Sequence, residues 1–240
     1  MNELNTTTPP DLQQPKKVET PAEPLAPDAS IGTLFEGLLK SPFSVIQTIT
    51  KGTHQGNLTL KLLAITLLGF LIFGITLGSF SFGHQLWAAP LKSIFGISAS
   101  ALICLPSLYI FTALTGTSLK LREIIEGLSA TLALIAALLL GFTPVLWVFS
   151  QSTGSEAFFG FLVITAWVIA LSFGTGFLFK MLHKMDSKKK APVRIWIGIF
   201  LLVTLQMSTT LRPIIGSSED FFTPGKRFFL EHWILEANGR

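Results

Sequence analysis

The residues able to support catalysis or metal binding are few and scattered along this chain of 240 residues. None of the four histidines (His54, His84, His183 and His232) has metal-ligand spacing with a carboxylate or a thiol. The chain also lacks a glycine-rich phosphate loop and the sharp turn that carries a catalytic serine. Cys104 is the single cysteine, so no disulfide can form within the chain. The sequence therefore predicts no catalytic, metal-binding or cofactor-binding residues, and a protein that is not an enzyme.

One compact polar feature follows Gln206, where Arg212, Pro213 and Gly216 come close together. The guanidinium of Arg212 is expected near a membrane–water interface, within reach of helix-end carbonyls or a lipid phosphate. The proline ends a helix, and the glycine permits the turn that follows. These residues have two interpretations: a simple helix terminator, or a contact of Gln206 and Arg212 with a lipid or a protein partner.

A second candidate contact is the run of three basic residues Lys188, Lys189 and Lys190. Each basic residue near a membrane surface attracts anionic lipid headgroups with about 1 kcal/mol. The same residues also hold their loop on the cytoplasmic side. Both roles can coexist.

Five long apolar stretches position these residues and fill most of the chain. They cover residues 62–82, 93–114, 124–149, 157–179 and 195–211. About twenty apolar residues in helical form cross the hydrocarbon core of a bilayer. Apolar side chains make up 49% of the chain and charged ones 13%, a balance that excludes a soluble domain of this size. The sequence predicts an all-α polytopic membrane bundle with five transmembrane helices over residues 62–211.

The flanks predict amphipathic interfacial helices on both sides of the bundle. Residues 1–30 are polar and contain six prolines, which indicates a disordered tail. In residues 31–61, apolar side chains recur at helical spacing, and Ser41 followed by Pro42 is typical of a helix start. These cytoplasmic helices either lie on the leaflet surface or pack beneath the bundle. Residues 212–240 form the C-terminal segment, where we expect a short external interfacial helix.

The distribution of basic residues predicts the orientation. With the N-terminus inside, the loops and flanks beyond the first thirty residues place eleven Lys and Arg in the cytoplasm and five outside. This explains the net charge of +4 without a nucleic-acid partner. The protein is expected in a bacterial inner membrane, with a cytoplasmic N-terminus and an external C-terminus. Lys92 then falls in an external segment, and Glu126 beside Arg122 at the solvated cytoplasmic start of the third span.

Small residues and prolines predict how the helices pack. Close approach of helices in lipid requires small side chains at the contact faces. Such residues recur every four positions in four stretches: Gly74 and Gly78; Gly96, Ser100 and Cys104; Ala133, Ala137 and Gly141; Ala166, Ala170 and Gly174. Pro106 and Pro144 each lie inside a stretch and predict kinks, which either shape the bundle or form a gate.

Several of these segments together resemble bacterial five-span proteins of the Yip1-like superfamily. They are LPSLY at 105–109, the basic loop at 115–122, FTPVLW at 142–147, Gln206 with Met207, LRPIIG at 211–216 and the aromatic tail. The resemblance covers residues from about 40 to 235. It implies five spans, a cytoplasmic N-terminus and a non-enzymatic role in organising membranes or membrane-protein complexes. The Asp-Leu-Tyr-Gly-Pro-type motif of the eukaryotic branch is missing, so a GTPase partner is not implied.

These features favour a non-enzymatic membrane scaffold or accessory protein. Its expected partners are membrane lipids, other membrane proteins or a second copy of the chain. The alternative is a permease or channel for a small neutral or lipidic solute. Its pathway would use the kinks at the two prolines and the polar side chains Ser100, Ser107, Thr112, Thr143 and Gln206.

Overall fold

The computed structural model describes residues 24–26, 28–52, 57–80, 85–116, 119–184 and 191–210. Within these ranges the fold is all helical, with seven α-helices and no β-strand. The helices are α1 (Ile31–Lys40), α2 (Pro42–Lys51), α3 (Leu58–Gly78), α4 (Gln85–Leu114), α5 (Leu121–Ser152), α6 (Glu156–Lys184) and α7 (Ala191–Thr210). The predicted C-terminal segment at 212–240 and most of the predicted N-terminal tail lie outside the described residues.

Four helices are long and apolar enough to cross a bilayer: α3, α4, α5 and α6. The shortest, α3, has 21 residues and is about 32 Å long, which matches a hydrocarbon core of about 30 Å. The prediction of an all-helical fold is therefore confirmed for the described residues, with four candidate membrane spans. The apolar stretch of α7 covers only Ala191–Met207, so the fifth span stays a prediction.

Helix α4 begins at Gln85, eight residues before the predicted span, and continues through Pro90 and Pro106. Pro90 lies in the second turn, where its missing N–H removes a single hydrogen bond near the helix end. The start of α4 is also covered by α3, because Gly74 brings the two backbones together at Pro90. The residues after Pro90 are helical and include Lys92.

The two short helices before the first span form as the sequence predicted. Ser30 caps α1 by accepting a hydrogen bond from the N–H of Thr33 at 3.2 Å. Pro42 opens α2, although the Ser41 side chain makes no capping bond. Gly52 ends α2 with a φ of 59°, a left-handed conformation that favours glycine.

The apolar faces of α1 and α2 pack on the bundle, mainly against α3 and α5. Leu34, Leu38, Val45, Ile46 and Ile49 are all fully buried. This arrangement corresponds to the second of the two predicted placements, in which these helices pack beneath the bundle.

The core of the bundle is the pair α3 and α5, which run parallel to each other. Gly69 faces Ala136 in the middle of the pair, and the Oγ atoms of Ser79 and Ser150 lie 3.2 Å apart at its end. Helix α4 packs on α3, α6 packs on α5, and α7 packs on α4. The central pair, α3 and α5, is therefore not consecutive in the chain, and α4 and α6 pack on its outside.

Small residues mediate the closest helix contacts, as predicted, but only some of the predicted positions do so. A Cβ added at Gly74 would meet the backbone of Pro90 on α4, and one at Gly174 would meet the side chain of Ile135 on α5. Gly141 has no neighbouring atom within 4 Å of such a Cβ, so it takes no part in packing. Gly69 and Gly127, which the four-residue spacing missed, make close contacts with Ala136 and Met181.

Candidate functional site

The predicted contact residues lie in different parts of the chain. Arg212 and the lysines Lys188, Lys189 and Lys190 lie outside the described residues. Gln206 is partly buried in the last turns of α7. Its contact with a partner or lipid stays a prediction.

Pro106 on α4 and Pro144 on α5 are both on exposed faces of their helices. Beside Pro106, the carbonyl of Cys104 accepts hydrogen bonds from Ser107 Oγ at 2.8 Å and from Trp196 Nε1 at 3.1 Å. These bonds tie the turn of α4 before Pro106 to α7. Neither proline lines the groove described next, and a gating role stays a prediction.

An apolar groove lies between the α1–α2 pair and the helices α5 and α6. Its volume is about 490 Å³, and it is open to the surface of the protein, where Phe43 and Phe173 are exposed. Leu38 and Phe43 form one wall, and Leu138, Phe173 and Phe177 contribute to the opposite wall. The groove exists because the amphipathic pair packs on α5 while leaving the neighbouring face of α6 partly uncovered.

Two polar side chains line this groove, Ser172 and Lys180, both on α6. Ser172 Oγ donates to the carbonyl of Val168 at 2.7 Å, so its hydrogen is used within the helix. Lys180 is exposed at the end of the groove nearest the C-terminus of α6. The groove is thus apolar along its length and positively charged at one end.

The positive charge continues beyond the groove onto the next turn of α6. Lys184 Nζ lies 5.6 Å from the ring centroid of Phe43, a cation–π contact between α6 and α2. On the other side of α6, Arg194 Cζ lies 5.6 Å from the ring centroid of Phe179. This end of the bundle therefore gathers cations from α6 and α7 around aromatic rings.

Sequence reasoning took Lys180 and Lys184 only as determinants of topology and missed the groove. A signal was available on α6. Phe173, Phe177, Lys180 and Lys184 recur at intervals of three or four residues, which places two aromatic rings and two ammonium groups on one stripe. The opposite wall, from α1 and α2, has no such signal because it depends on tertiary packing.

The prediction that Glu126 is solvated is wrong. Glu126 is only 2% exposed, and its Oε1 accepts a hydrogen bond from Arg122 Nε at 2.8 Å. The guanidinium of Arg122 itself is mostly exposed. The carboxylate is buried because α5 is covered on several sides near its start, and the arginine one turn earlier supplies a charged partner that reaches water.

Lys92 is the second charged residue whose predicted environment is wrong. It was expected in an external loop, but it lies within α4 and is 1% exposed. The helix begins early enough to carry its side chain into the packed part of the bundle. Lys92 is therefore an ionisable group within a candidate span. It lies at the end of the bundle opposite to Lys180 and Lys184.

The hydroxyl groups proposed for a transport pathway bond within their own helices. Ser100 Oγ donates to Gly96 O, Thr112 Oγ1 to Tyr109 O and Thr143 Oγ1 to Leu139 O, at 2.8, 2.8 and 3.1 Å. Such bonds to the carbonyl three or four residues earlier satisfy a hydroxyl inside an apolar helix. The hydroxyls that a transport pathway would use therefore already donate hydrogen bonds to backbone carbonyls of their own helices.

The indole of Trp196 links α7 to α4 by hydrogen bonds. This side chain is fully buried and donates from Nε1 to Cys104 O and to Ser107 Oγ, the latter at 3.0 Å. Its ring stacks on Phe200 with centroids 5.4 Å apart. The short last helix is thereby fixed against α4.

Across the described ranges, no three His, Cys, Asp or Glu side chains are grouped so that they could hold a metal ion. No profile of a known protein family, no curated protein and no solved structure matches the chain. The resemblance to the Yip1-like superfamily therefore stays a prediction.

Proposed function

We propose that this chain is a non-enzymatic integral membrane protein of Yip1-like type that organises a membrane or a membrane-protein complex. This proposal is supported by the tight packing of the bundle interior and by the pairing of its hydroxyl groups. The closest helix contacts are made by glycine, as at Gly69 and Gly174, and hydroxyls of the spans bond their own helices. An interior filled in this way leaves the outer faces as the surfaces that can bind partners.

The outer face of α4 is one of these surfaces. Leu102, Ile103 and Ile110 are more than half exposed on it, next to Pro106. Apolar side chains on this face contact lipid or a neighbouring protein span equally well, because lipid gives no hydrophobic drive to either. Specific association would depend on shape, to which the proline contributes.

The proposal includes an N-terminus in the cytoplasm of a bacterial inner membrane, and α7 as a fifth span. Helix α7 has 20 residues and is about 30 Å long, enough for one crossing. The connections between antiparallel neighbours place the α3 start, the α4–α5 loop and the α6 end on one side. That side carries Lys61, Lys120, Arg122, Lys180 and Lys184, as expected for the cytoplasmic side.

Photo-crosslinking in native membranes tests the organising role. A photoreactive residue replaces Leu102, which is 72% exposed, and the matched control replaces Leu108 on the same helix, which is 0% exposed. The expected result is a stoichiometric protein adduct, identified by mass spectrometry, at the first position only. If neither position captures a protein and purified chain conducts solutes into liposomes, the permease replaces this proposal.

Cysteine accessibility tests the orientation. Cys104 is buried, so the unmodified chain should give little background with a membrane-impermeant maleimide. Gly154→Cys in the α5–α6 connection should react in intact cells, whereas Lys120→Cys should react only after lysis. The reverse pattern contradicts the proposed orientation. For α7, a fused reporter after Arg240 that is active only in the cytoplasm would contradict the fifth span.

A further inference from the structure

We propose that the groove between the α1–α2 pair and helices α5 and α6 binds one phospholipid with an anionic headgroup. An acyl chain occupies the apolar part of the groove, and the headgroup phosphate lies at Lys180 and Lys184. The site does not depend on the organising role proposed above, since a lipid can bind here in a scaffold or a permease.

The length of the groove matches the depth of one leaflet. Ser172 and Lys180 mark its two ends on α6 and are eight residues apart, or about 12 Å along the helix. Half of a hydrocarbon core of about 30 Å is about 15 Å. An acyl chain that enters beside Lys180 therefore stays within a single leaflet when it reaches Ser172.

The walls of the groove suit a hydrocarbon chain. Apart from Ser172 and Lys180, the side chains that line it are apolar. The hydroxyl of Ser172 is already bonded to its own helix, so the apolar part of the groove presents no polar group that a partner would have to satisfy. The apolar walls of Phe43, Leu138 and Phe173 suit a flexible acyl chain.

Charge determines which headgroup the site prefers. Moving an acyl chain from bulk lipid into the groove gains no hydrophobic free energy, because both surroundings are hydrocarbon. Selectivity must then come from Lys180 and Lys184, which lie one turn apart at the end of the groove nearest the C-terminus of α6. A basic residue near the membrane surface favours an anionic headgroup about fivefold.

Phe43 connects the two parts of this site. Its ring lines the groove and also lies beneath Lys184 Nζ, at 5.6 Å. A bound lipid would therefore contact α2 and α6 together. Occupancy of the groove then holds the amphipathic pair against the spans.

Native mass spectrometry of the full chain, released from detergent, tests the site. The chain is titrated with phosphatidylglycerol or with phosphatidylcholine carrying identical acyl chains. We expect one tightly retained phosphatidylglycerol and weaker retention of phosphatidylcholine. Lys180→Gln and Lys184→Gln should each lower the preference about fivefold, whereas Lys120→Gln, a loss of the same charge outside the groove, should leave it unchanged.

A second pair of variants tests the groove itself. A Cβ at Gly176, which lines the groove, meets no atom within 4 Å, so Gly176→Leu places an apolar side chain that starts in open space within the groove. Gly160→Leu is the control, since Gly160 lies on the same helix, has equally open space and does not line the groove. We expect Gly176→Leu alone to abolish retention of both lipids. Equal retention of the two lipids, or identical retention by the two leucine variants, would overturn the proposal.

Discussion

Replacing Gly74 with alanine tests the close packing that fixes the start of α4. The added Cβ would meet Pro90 Cα and lie 2.8 Å from Pro90 N, whereas non-bonded heavy atoms rest at about 3.5–4.0 Å. Backbone cannot rotate away as a side chain can, so α3 and α4 must separate by about 1 Å. Overpacking of this kind costs about 1–3 kcal/mol, offset by about 0.5–1 kcal/mol from replacing glycine within a helix. The net loss of stability should therefore lie between about 0 and 2.5 kcal/mol, centred near about 1 kcal/mol.

Gly141→Ala is the matched control, because its Cβ would enter open space on α5. This variant should be as stable as the unmodified chain or slightly more stable. Reversible unfolding in mixed lipid–detergent micelles, monitored by Trp fluorescence, measures both free energies of unfolding. A Gly74→Ala variant that equals or exceeds Gly141→Ala in stability would refute the inferred contact between the two backbones.

Three further predictions concern polar groups. Trp196→Phe removes two hydrogen bonds to α4 and should cost about 0.6–2 kcal/mol in the same unfolding assay; an unchanged free energy would rule out this link. Arg122→Ala removes a charged partner from buried Glu126 and should cost about 1–3 kcal/mol. Adding Glu126→Gln should recover part of that loss, and a larger loss in the double variant would contradict the buried pair.

The third prediction concerns the exposed ion pair of Glu36 and Lys40, in which Lys40 Nζ lies 2.8 Å from Glu36 Oε1. The hydrogen bond and charge of Lys40 lower the pKa of the Glu36 carboxyl, so its small contribution to stability is lost as the pH falls through the folded-state pKa. The hydrogen bond and charge of Glu36 raise the pKa of Lys40 in turn. The contribution of Lys40 to stability is lost as the pH rises through its folded-state pKa. Glu36→Gln should therefore flatten melting temperature against pH at both ends, and an unchanged profile would show that the pair is not formed in solution.

The helices were predictable from sequence because their signals are local. An apolar run of about twenty residues with few charges predicts a span, and the proline at position 42 predicts the start of α2. The ends of the spans were less accurate. Lys92 was predicted to lie in an external segment just before the span at 93–114, yet α4 begins at Gln85 and includes Pro90 and Lys92.

The groove and the buried carboxylate could not be predicted from sequence. The walls of the groove come from residues about a hundred positions apart, such as Leu38 and Leu138, and no local pattern relates them. Glu126 follows Arg122 by one turn, a spacing equally common on solvated helices. Which side of α5 is covered depends on where α1, α3 and α6 pack.

The parallel pairing of α3 with α5 has a consequence for biosynthesis. Gly69 is synthesised 67 positions before Ala136, the residue that it contacts. At about 5–20 residues per second, the ribosome needs about 3–13 s to synthesise the intervening chain. Over this interval α5 is not yet complete, so α3 leaves the ribosome without the partner that later covers this face. A chain whose synthesis stops after α4 therefore displays an unpaired helix face to the membrane, where proteases that survey incomplete proteins can recognise it.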